Sequence, residues 1–530
     1  MKINTQPFKL KSWKQLIAEQ KTHPHCFFDG MEYNRKNKEF AFQVGNLSFD
    51  LSRNYWKKNT TQHLLNWSQE RALFKMLKNM LNGEVVNDSE DRAVLHPHYR
   101  DFSNITSGAS CFQTSIAGIE HFYNQITEGH WTTIQGKPFK KVVSIGIGGS
   151  DVSLDFLVNA IPDLKDAVLE VDFLNHIDAE SFDRLLSSLV LEETLFIVIS
   201  KSFTTQETML NAHVIKEIII EKLGQEAFEK HFIGITANEK EALTFGIKQE
   251  QILTFCEGLG GRFSAWGPPG LVVALNWGFT HFCDFLKGGH LIDLHIKQSS
   301  KEENLPLHLA LLSILYAQLH GAKQEVIIPY QECMRGLIPY LQQIAMESNG
   351  KSVNKKGETI NYDTVNTVWG GIGNKAQHTF FQWLHQGTHL TPVDMIFVKN
   401  AQPKWTRHYE LMYKSYLAQI EALSYGTEKY HEYFKHQINA TAEAGFQNVF
   451  NSKGGVPVNE IYLDELSPSS IGELMAIYEY KYIIQGHLLN INSFDQFGVE
   501  LGKFLSRNIS IVESRMEEKE NTSTVTIANS

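Results

Sequence analysis

KKVVSIGIGGS, residues 140–150, decides the fold class, because a run of apolar and β-branched residues passes directly into a glycine-rich turn. Four similar runs follow: VLEVDFLN (168–175), TLFIVISKS (194–202), HFIGITAN (231–238) and QILTFC (251–256). Helix-like stretches separate them. Near-continuous apolar runs that alternate with helices are typical of parallel strands buried on both faces. The sequence therefore predicts an α/β fold with a parallel sheet in this region.

A second set of strand-like runs follows a long helical stretch: QEVIIPY (324–330), NTVWGG (366–371) and PVDMIFVKN (392–400). Two such clusters predict two α/β domains, each a mainly parallel sheet flanked by helices in three layers, with helical extensions at both ends. The expected boundaries are a mainly helical segment (1–110) that packs on the second domain, a first α/β domain (111–280), a second (281–512) and a polar tail (513–530).

Composition narrows the class of partner and compartment. The chain has 530 residues and a formal net charge of −10, which argues against nucleic acid or an anionic membrane surface as a partner. Five scattered cysteines, an odd number, indicate neither a disulfide framework nor a zinc ribbon. The first residues lack the apolar core of a secretory signal, and the most apolar stretch, GLVVALNWGFTHFCDFL, is too short and polar for a membrane span. We expect a cytoplasmic protein.

AMESNGKS, residues 345–352, differs by one residue from the G-x-x-x-x-G-K-[ST] pattern of a P-loop. A P-loop must follow a buried strand and open a helix, so that its backbone amides point at the phosphates. The preceding LIPYLQQI lacks β-branched character, and the following VNKKGETINYD lacks a helical apolar period. The context therefore disfavours an ATP site.

Two other loops are better candidates for binding an anion. SIGIGGSD (144–151) ends a strand with glycines and opens a helix, and SKSFTTQETM (200–209) places four hydroxyls and a lysine at a second strand–helix junction. The first loop also allows a dinucleotide interpretation, since Asp172 follows about 20 residues later, but Asp151 stands where that fingerprint needs glycine. The second allows a simple helix cap at Thr204 or Thr205. Two such loops at successive strand ends favour a ligand at the carboxyl edge of the sheet.

Seven blocks, in order, carry a resemblance to a known family: RAVLH (92–96), IGIGGSD (145–151), SKSFTTQET (200–208), GGRFSAW (260–266), QQIAMESNGK (342–351), QHTFFQWLHQGT (377–388) and NSFDQFGVELGK (492–503). The chain resembles the glucose-6-phosphate isomerase (phosphoglucose isomerase) family, whose domains share the sugar isomerase fold. The resemblance implies reversible interconversion of glucose 6-phosphate and fructose 6-phosphate through a cis-enediol, with no metal and no organic cofactor.

The resemblance also implies catalytic roles. Glu347 is similar to the base that moves a proton between C2 and C1, and Arg262 to the cation that stabilises the enediolate. His378 and Lys503 resemble the residues that open the sugar ring. Glu207 resembles the carboxylate beside the ring-opening histidine. A proton α to a carbonyl needs such a base together with a cation for the developing oxyanion, so this set of residue types is sufficient for the chemistry.

The same resemblance implies which residues bind the substrate, a hexose 6-phosphate. They are Gly149, Ser150, Ser200, Lys201, Ser202, Thr205, Gln343 and Gln496. In the family the ring-opening histidine comes from the neighbouring subunit, which implies a homodimer with a shared active site. His385 follows His378 by seven residues, but without a third ligand the pair does not indicate a metal site.

Two alternatives remain open at the level of sequence. One is an isomerase of relaxed specificity that also uses mannose 6-phosphate, and the other is a non-catalytic sugar-phosphate-binding protein on the same fold. The chain departs from the family pattern at Ser202, at Pro268 and Pro269, at Ala345 and in the loop 447–460. None of these departures removes a catalytic residue.

Overall fold

The structure is a computed structural model that describes residues 6–22, 31, 34–35, 39–101, 111–162, 164, 168–400, 404–443 and 448–509. Contacts between Cα atoms divide the chain into two compact units, Met1–Ser493 and Phe494–Ser530. The polar tail expected at 513–530 lies outside the described residues. The domain boundaries expected at 110 and 280 stay predictions.

Thirteen strands are present in the described part of the chain. They are β1 (Ala41–Val44), β2 (Leu47–Arg53), β3 (Val85–Asn87), β4 (Arg92–Ala93), β5 (Lys141–Ile145), β6 (Glu170–Leu174), β7 (Thr194–Ile199), β8 (Phe232–Thr236), β9 (Ile252–Thr254), β10 (Gln324–Pro329), β11 (Thr367–Gly370), β12 (Val393–Val398) and β13 (Val458–Leu463). All eight strands predicted from apolar runs are among them.

The α-helices surround these strands. They are Lys11–Thr22, Lys58–Glu70, Leu73–Leu81, Cys111–Thr127, Val152–Ala160, Ala179–Ser188, Gln206–Leu223, Gln225–His231, Glu239–Phe245, Leu271–Trp277, Phe279–Gln298, Leu305–Leu319, Leu337–Gln342, Gly373–Gln377, Phe381–Gln386, Thr406–Tyr425, His431–Glu443, Pro468–Leu488 and Glu500–Arg507. Among the described helices, none combines the length and apolar character that a membrane span requires.

The first sheet has five parallel strands in the order β6-β5-β7-β8-β9. Every residue of β7 and β8 is buried, which is what a central parallel strand covered by helices on both faces requires. From β5 the chain moves to β6 on one side and then to β7 on the other. The strand order therefore reverses between β5 and β7, and a crevice at such a switch point is where open α/β sheets bind ligands.

The second sheet has six strands in the order β1-β2-β13-β12-β10-β11. The four on the β11 side run parallel, whereas β2 pairs antiparallel with β13 and β1 antiparallel with β2. Sequence analysis missed β13, and it expected residues 1–110 to be mainly helical. That segment does contain helices, but it also adds a β-hairpin to the sheet. The hairpin corrects the expectation of a mainly helical segment, and the contacts of its turn give the physical reason.

The hairpin turns at Gly45 and Asn46, a two-residue connection between the paired residues Val44 and Leu47. Gly45 has a φ of 56°, which glycine adopts at no steric cost. The Glu473 carboxylate accepts hydrogen bonds from the Asn46 backbone N–H and from its side-chain amide, each at 2.7 Å. Glu473, which is more than 400 residues away in sequence, thus anchors the turn.

The core of the molecule contains the helix Pro468–Leu488, in which every residue except Ser469 is buried. It packs closely on the helix Phe279–Gln298 because glycines lie where the two backbones meet. A Cβ atom on Gly288 would lie 2.1 Å from the Ser469 carbonyl oxygen. The two helices can therefore approach only with glycine at this position.

The cysteines differ in state. Cys256 is disulfide-bonded, whereas Cys283 is a free thiol. Sequence analysis had found no indication of a disulfide framework, because cysteine spacing in this chain carries no recognisable pattern. Burial raises the pKa of the Cys283 thiol to about 11, so this thiol is not activated.

Candidate active site

Two loops flank the switch point of the first sheet. β5 ends at Ile145 and continues into the glycine turn, and β7 ends at Ile199 and continues into the hydroxyl-rich loop. The two strands are direct neighbours. A Cβ atom on Gly146 would lie 3.3 Å from the Ile199 carbonyl oxygen, so the loops begin side by side. The two predicted phosphate loops therefore start at the same edge of the sheet.

The hydroxyl-rich loop is organised by a buried serine. Ser200 Oγ accepts a hydrogen bond from the Phe203 backbone N–H at 3.1 Å and shares another with Thr205 Oγ1 at 3.0 Å. Phe203 has a φ of 54°, an uncommon conformation for a bulky residue. Ser202 is exposed and accepts hydrogen bonds from the backbone N–H and hydroxyl of Thr204. The loop thus presents hydroxyls in a tight, strained turn.

The helix-cap interpretation of this loop is wrong at Thr205. Thr205 is the N-cap residue of the helix Gln206–Leu223, but its side chain makes no capping hydrogen bond. Its hydroxyl pairs with Ser200 instead. The N–H groups at this helix start, with their favourable dipole, therefore lack a hydroxyl cap from Thr205.

The Lys201 side chain contacts the loop 257–259. Its ammonium group donates to the backbone carbonyls of Glu257 at 2.7 Å and Leu259 at 3.0 Å. Burial lowers its pKa, and the nearby charge of Arg92 lowers it further. In this structure Lys201 therefore ties its strand end to the loop 257–259, and a direct contact with phosphate stays a prediction.

The glycine turn packs directly on the segment that carries Arg262. A Cβ atom on Gly149 would lie 2.3 Å from the Gly261 carbonyl carbon and 2.6 Å from the Arg262 nitrogen. Ser264 Oγ donates to the Gly149 carbonyl at 2.9 Å. Only glycine allows this approach. Gly149 of the GIGGS motif therefore positions the Arg262 segment as well as the turn.

Arg262 is buried and held from several directions. Its Nε donates to Ser348 Oγ at 2.9 Å, and its Nη2 donates to the Ser493 carbonyl at 3.1 Å. Its Nη1 lies 3.3 Å from a carboxylate oxygen of Glu347. A buried guanidinium in such a fork keeps its orientation. Arg262 and Glu347, predicted as cation and base, are therefore brought together.

The Pro268–Pro269 departure does not disturb this segment. The 3₁₀ turn Gly261–Trp266 carries Arg262, and Pro268–Gly270 forms a second such turn before the helix Leu271–Trp277. Both prolines occupy the first positions of a turn, where their missing N–H groups would have no partner.

Glu347 lies at the end of a π-helical turn, Gln343–Glu347, which continues the helix Leu337–Gln342. Such turns are rare in proteins overall, but those that occur are often found at functional sites. No strand precedes it, so the P-loop interpretation fails on structure as well as on sequence. Ala345 is buried inside the turn. The side chain of Glu347 is 26% exposed, which leaves it accessible to a substrate.

Gln343 faces the glycine turn from the other side. Its Nε2 atom lies 3.7 Å from the position of a Cβ atom on Gly148. Its Oε1 atom is buried and has no hydrogen-bond partner among the described residues. A buried acceptor without a partner costs free energy in the unliganded protein, so a substrate hydroxyl would satisfy it.

Two other predicted catalytic residues of the first compact unit, His378 and Glu207, do not join this cluster in the described contacts of one chain. His378 follows the helix Gly373–Gln377, and its side chain is exposed. No described hydrogen bond or ion pair connects it to Glu347. Glu207 lies in the first turn of its helix, close in sequence to Thr205.

Two further predicted residues belong to the second compact unit. Gln496 precedes the 3₁₀ turn Phe497–Val499. Lys503 lies on the helix Glu500–Arg507, where it is half exposed and donates to Glu500 at 2.7 Å. Their roles in ring opening and substrate binding stay predictions.

Asp151, at the end of the glycine turn, was not assigned a role from sequence. It is 6% exposed, and burial raises the pKa of its carboxyl to about 7, although a hydrogen bond from Asn175 at 2.9 Å opposes this. Its Oδ1 has no partner among the described residues. Ser348, which orients Arg262, was also missed, although it adjoins Glu347 within a recognised block.

Comparisons with known proteins identify the family of the chain. The family model described as phosphoglucose isomerase matches residues 50–528. The chain belongs to the phosphoglucose isomerase family. It is 36% identical over 519 residues to glucose-6-phosphate isomerase 1 of Colwellia psychrerythraea, covering 94% of each chain. It is 35% identical over 506 residues to glucose-6-phosphate isomerase of Francisella tularensis, covering 94% of this chain and 93% of the relative.

A solved structure supports the same membership. The crystal structure of a glucose-6-phosphate isomerase from Chlamydia trachomatis superposes with a TM-score of 0.83 at 27% sequence identity, covering 96% of both chains. The α/β fold with parallel sheets flanked by helices is thus confirmed as that of phosphoglucose isomerases. The family resemblance seen in seven sequence blocks extends over nearly the whole chain.

Proposed function

We propose that this protein interconverts glucose 6-phosphate and fructose 6-phosphate by proton transfer through a cis-enediol. The observation that carries the proposal is the pairing of Glu347 with Arg262 at 3.3 Å beside the glycine turn. The carboxylate accepts a proton from C2 of the open aldose and returns it to C1. The guanidinium stabilises the negative charge that develops on oxygen.

The substrate phosphate binds at the switch point between β5 and β7. The glycine turn supplies the Gly149 backbone N–H and the Ser150 hydroxyl, and the loop with Ser200, Ser202 and Thr205 supplies further hydroxyls. Both types of donor suit the three oxygens of a monoester phosphate. The unpartnered Oε1 of Gln343 supports the proposal that a sugar hydroxyl binds next to this turn.

Ring opening precedes proton transfer. We assign the proton shuttle between the ring oxygen and the anomeric hydroxyl to His378, assisted by Lys503, with Glu207 beside the imidazole. An imidazole is suited to this task because it exchanges a proton near neutral pH. The exposed position of His378 supports its presentation to the site of a neighbouring subunit, so we propose a homodimer with a shared active site.

The substrate class and the chain's composition support a cytoplasmic location, which we propose on that basis. A metal ion is not needed by this set of residues, because Glu347 and Arg262 supply base and electrophile. Among the described residues, no group of three His, Cys, Asp or Glu side chains is placed to hold a metal. Turnover that survives exhaustive chelation is the direct test of a metal-free reaction.

The function is tested with fructose 6-phosphate in heavy water. Deuterium should enter C2 of the glucose 6-phosphate formed, because a base that exchanges with solvent delivers the proton there. Glu347→Gln should lower turnover by at least about 1000-fold, while fructose 6-phosphate still binds. Glu180→Gln, which changes an exposed glutamate in the helix Ala179–Ser188, is the matched control and should retain parental turnover.

The outcomes separate the alternatives. A parent protein that binds hexose 6-phosphates without turning them over would establish the non-catalytic interpretation. The retention of both Glu347 and Arg262, in contact, argues against it. Incubation with mannose 6-phosphate, followed by detection of fructose 6-phosphate, decides whether specificity is relaxed. Near-parental turnover in Glu347→Gln would contradict the assignment of the base.

A further inference from the structure

A buried carboxylate connects the segment of Arg262 with the segment of Glu347. Glu479 is completely buried within the core helix. Its Oε1 atom accepts a hydrogen bond from Trp266 Nε1 at 2.7 Å and a second from the Tyr340 hydroxyl at 2.8 Å. One oxygen atom therefore holds two side chains from distant parts of the sequence.

Each of these side chains belongs to a segment that carries a catalytic group. Trp266 is the last residue of the 3₁₀ turn that contains Arg262. Tyr340 lies in the helix that continues without interruption into the π-helical turn ending at Glu347. The two segments meet twice, once at the carboxylate in the core and once at the ion pair in the site.

The carboxylate itself is fixed by a buried cation. Glu479 pairs through Oε2 with the Arg100 guanidinium, which also contacts Asp293 Oδ1 at 3.0 Å. The Tyr480 hydroxyl donates to the same Asp293 oxygen at 2.7 Å. Arg100 lies 3.8 Å from the centroid of the Trp266 ring. Because no member of this group is exposed by more than a few per cent, water cannot replace a lost partner.

We propose that Glu479 is a positioning residue for the isomerisation, which sets the distance between Arg262 and Glu347 by holding both segments at one oxygen atom. The inference rests on the proposed function. Glu479 acts through Trp266 and Tyr340, since its described partners include neither of the two catalytic groups. Small displacements of reacting groups lower the rate steeply, so a loosened bridge reduces turnover more than substrate binding.

Two variants remove one donor each: Tyr340→Phe keeps the aromatic ring, and Trp266→Phe replaces the indole by a smaller aromatic ring. Trp266→Phe and Tyr340→Phe should each lower kcat by about 10-fold, measured well below the melting temperature of the variant. KM for fructose 6-phosphate should stay within about twofold, because the phosphate loops are untouched. The double variant should lose less than the product of the two single losses, because both donors act on the same oxygen.

Tyr480→Phe is the matched control. It removes one buried hydroxyl from the same network, on the Asp293 side of Arg100, away from both catalytic segments. It should lower the melting temperature by an amount similar to Tyr340→Phe, while kcat stays within about twofold of the parent. The comparison thereby separates positioning from a general loss of core stability.

Parental kcat in Trp266→Phe and Tyr340→Phe, with reduced melting temperatures, would overturn the inference and leave Glu479 a purely structural residue. A loss of kcat in Tyr480→Phe as large as in Tyr340→Phe would overturn it too. An inactive parent would overturn the proposed function and this inference with it. An active parent with unaffected variants would overturn the inference alone.

Discussion

The Cα atom of Gly149 lies against the backbone nitrogen of Arg262 so closely that a Cβ atom would be 2.6 Å from that nitrogen. The proposed phosphate-binding turn and the segment of the proposed catalytic cation therefore share one backbone contact. Because both partners are backbone, neither can rotate away as a side chain would. The contact makes the position of Arg262 depend on the glycine turn.

The first prediction concerns this contact. Gly149→Ala should lower kcat/KM by at least about 100-fold, because the new methyl group displaces the Arg262 segment from Glu347. The free energy of unfolding should fall by about 1–3 kcal/mol, as is usual for overpacking. Steady-state kinetics and urea denaturation measure the two effects.

Gly261→Ala is the matched control for this substitution. A Cβ atom there has Gly149 Cα as its nearest neighbour at 4.0 Å, an ordinary van der Waals distance. Its kcat/KM should stay within about threefold of the parent. A folded Gly149→Ala protein with parental kcat/KM would contradict the structural role of this contact.

The second prediction concerns the pH dependence of stability at Asp151. Burial holds the pKa of this carboxyl at about 7 in the folded protein, against an ordinary value of 3.8. Between these pH values the unfolded chain binds fewer protons than the folded protein, so the free energy of unfolding falls as the pH rises through this window. Asp151→Asn removes this dependence and should be more stable than the parent at pH 8 by roughly 2–4 kcal/mol.

Urea denaturation at intervals from pH 4 to pH 8 measures this difference. Asp178→Asn supplies a contrasting control, because hydrogen bonds from Ser181 lower the pKa of the exposed Asp178 carboxyl. In the parent, the free energy of unfolding contributed by the Asp178 carboxylate is lost as the pH falls. Asp151 has the opposite effect, because it lowers the free energy of unfolding as the pH rises. A stability difference between Asp151→Asn and the parent that does not change from pH 4 to pH 8 would show that Asp151 is ionised throughout.

The strands of both sheets were predictable where apolar runs are long and local. β7 and β12 are buried at every position, and both are apolar except for Thr194 at the start of β7 and Asp394 in β12. The hairpin at Gly45 and Asn46 was missed although a two-residue turn between apolar runs is a known signal. β1 has only four residues, and a distant carboxylate, Glu473, anchors the turn.

The candidate site was predictable only in part, for a similar reason. Motifs identified Glu347 and Arg262, but not Ser348, which orients the guanidinium. The direction of the Lys201 side chain depends on carbonyls more than 50 residues away. Glu479 has no local signal at all, because a buried glutamate in a largely apolar helix acquires its partners only when the chain folds.

The last prediction concerns the proposed homodimer with a shared active site. Glu347→Gln and His378→Ala proteins should each retain less than about one hundredth of parental activity. When the two are mixed and exchange subunits, each hybrid dimer has one site with an intact Glu347 from one subunit and an intact His378 from the other. About half of the dimers should be hybrids, so the mixture should recover about one quarter of the parental activity. Native mass spectrometry of tagged subunits measures the hybrid fraction. If hybrids form and activity stays absent, His378 serves the Glu347 of its own chain, and its exposed position must then be explained by a rearrangement on substrate binding.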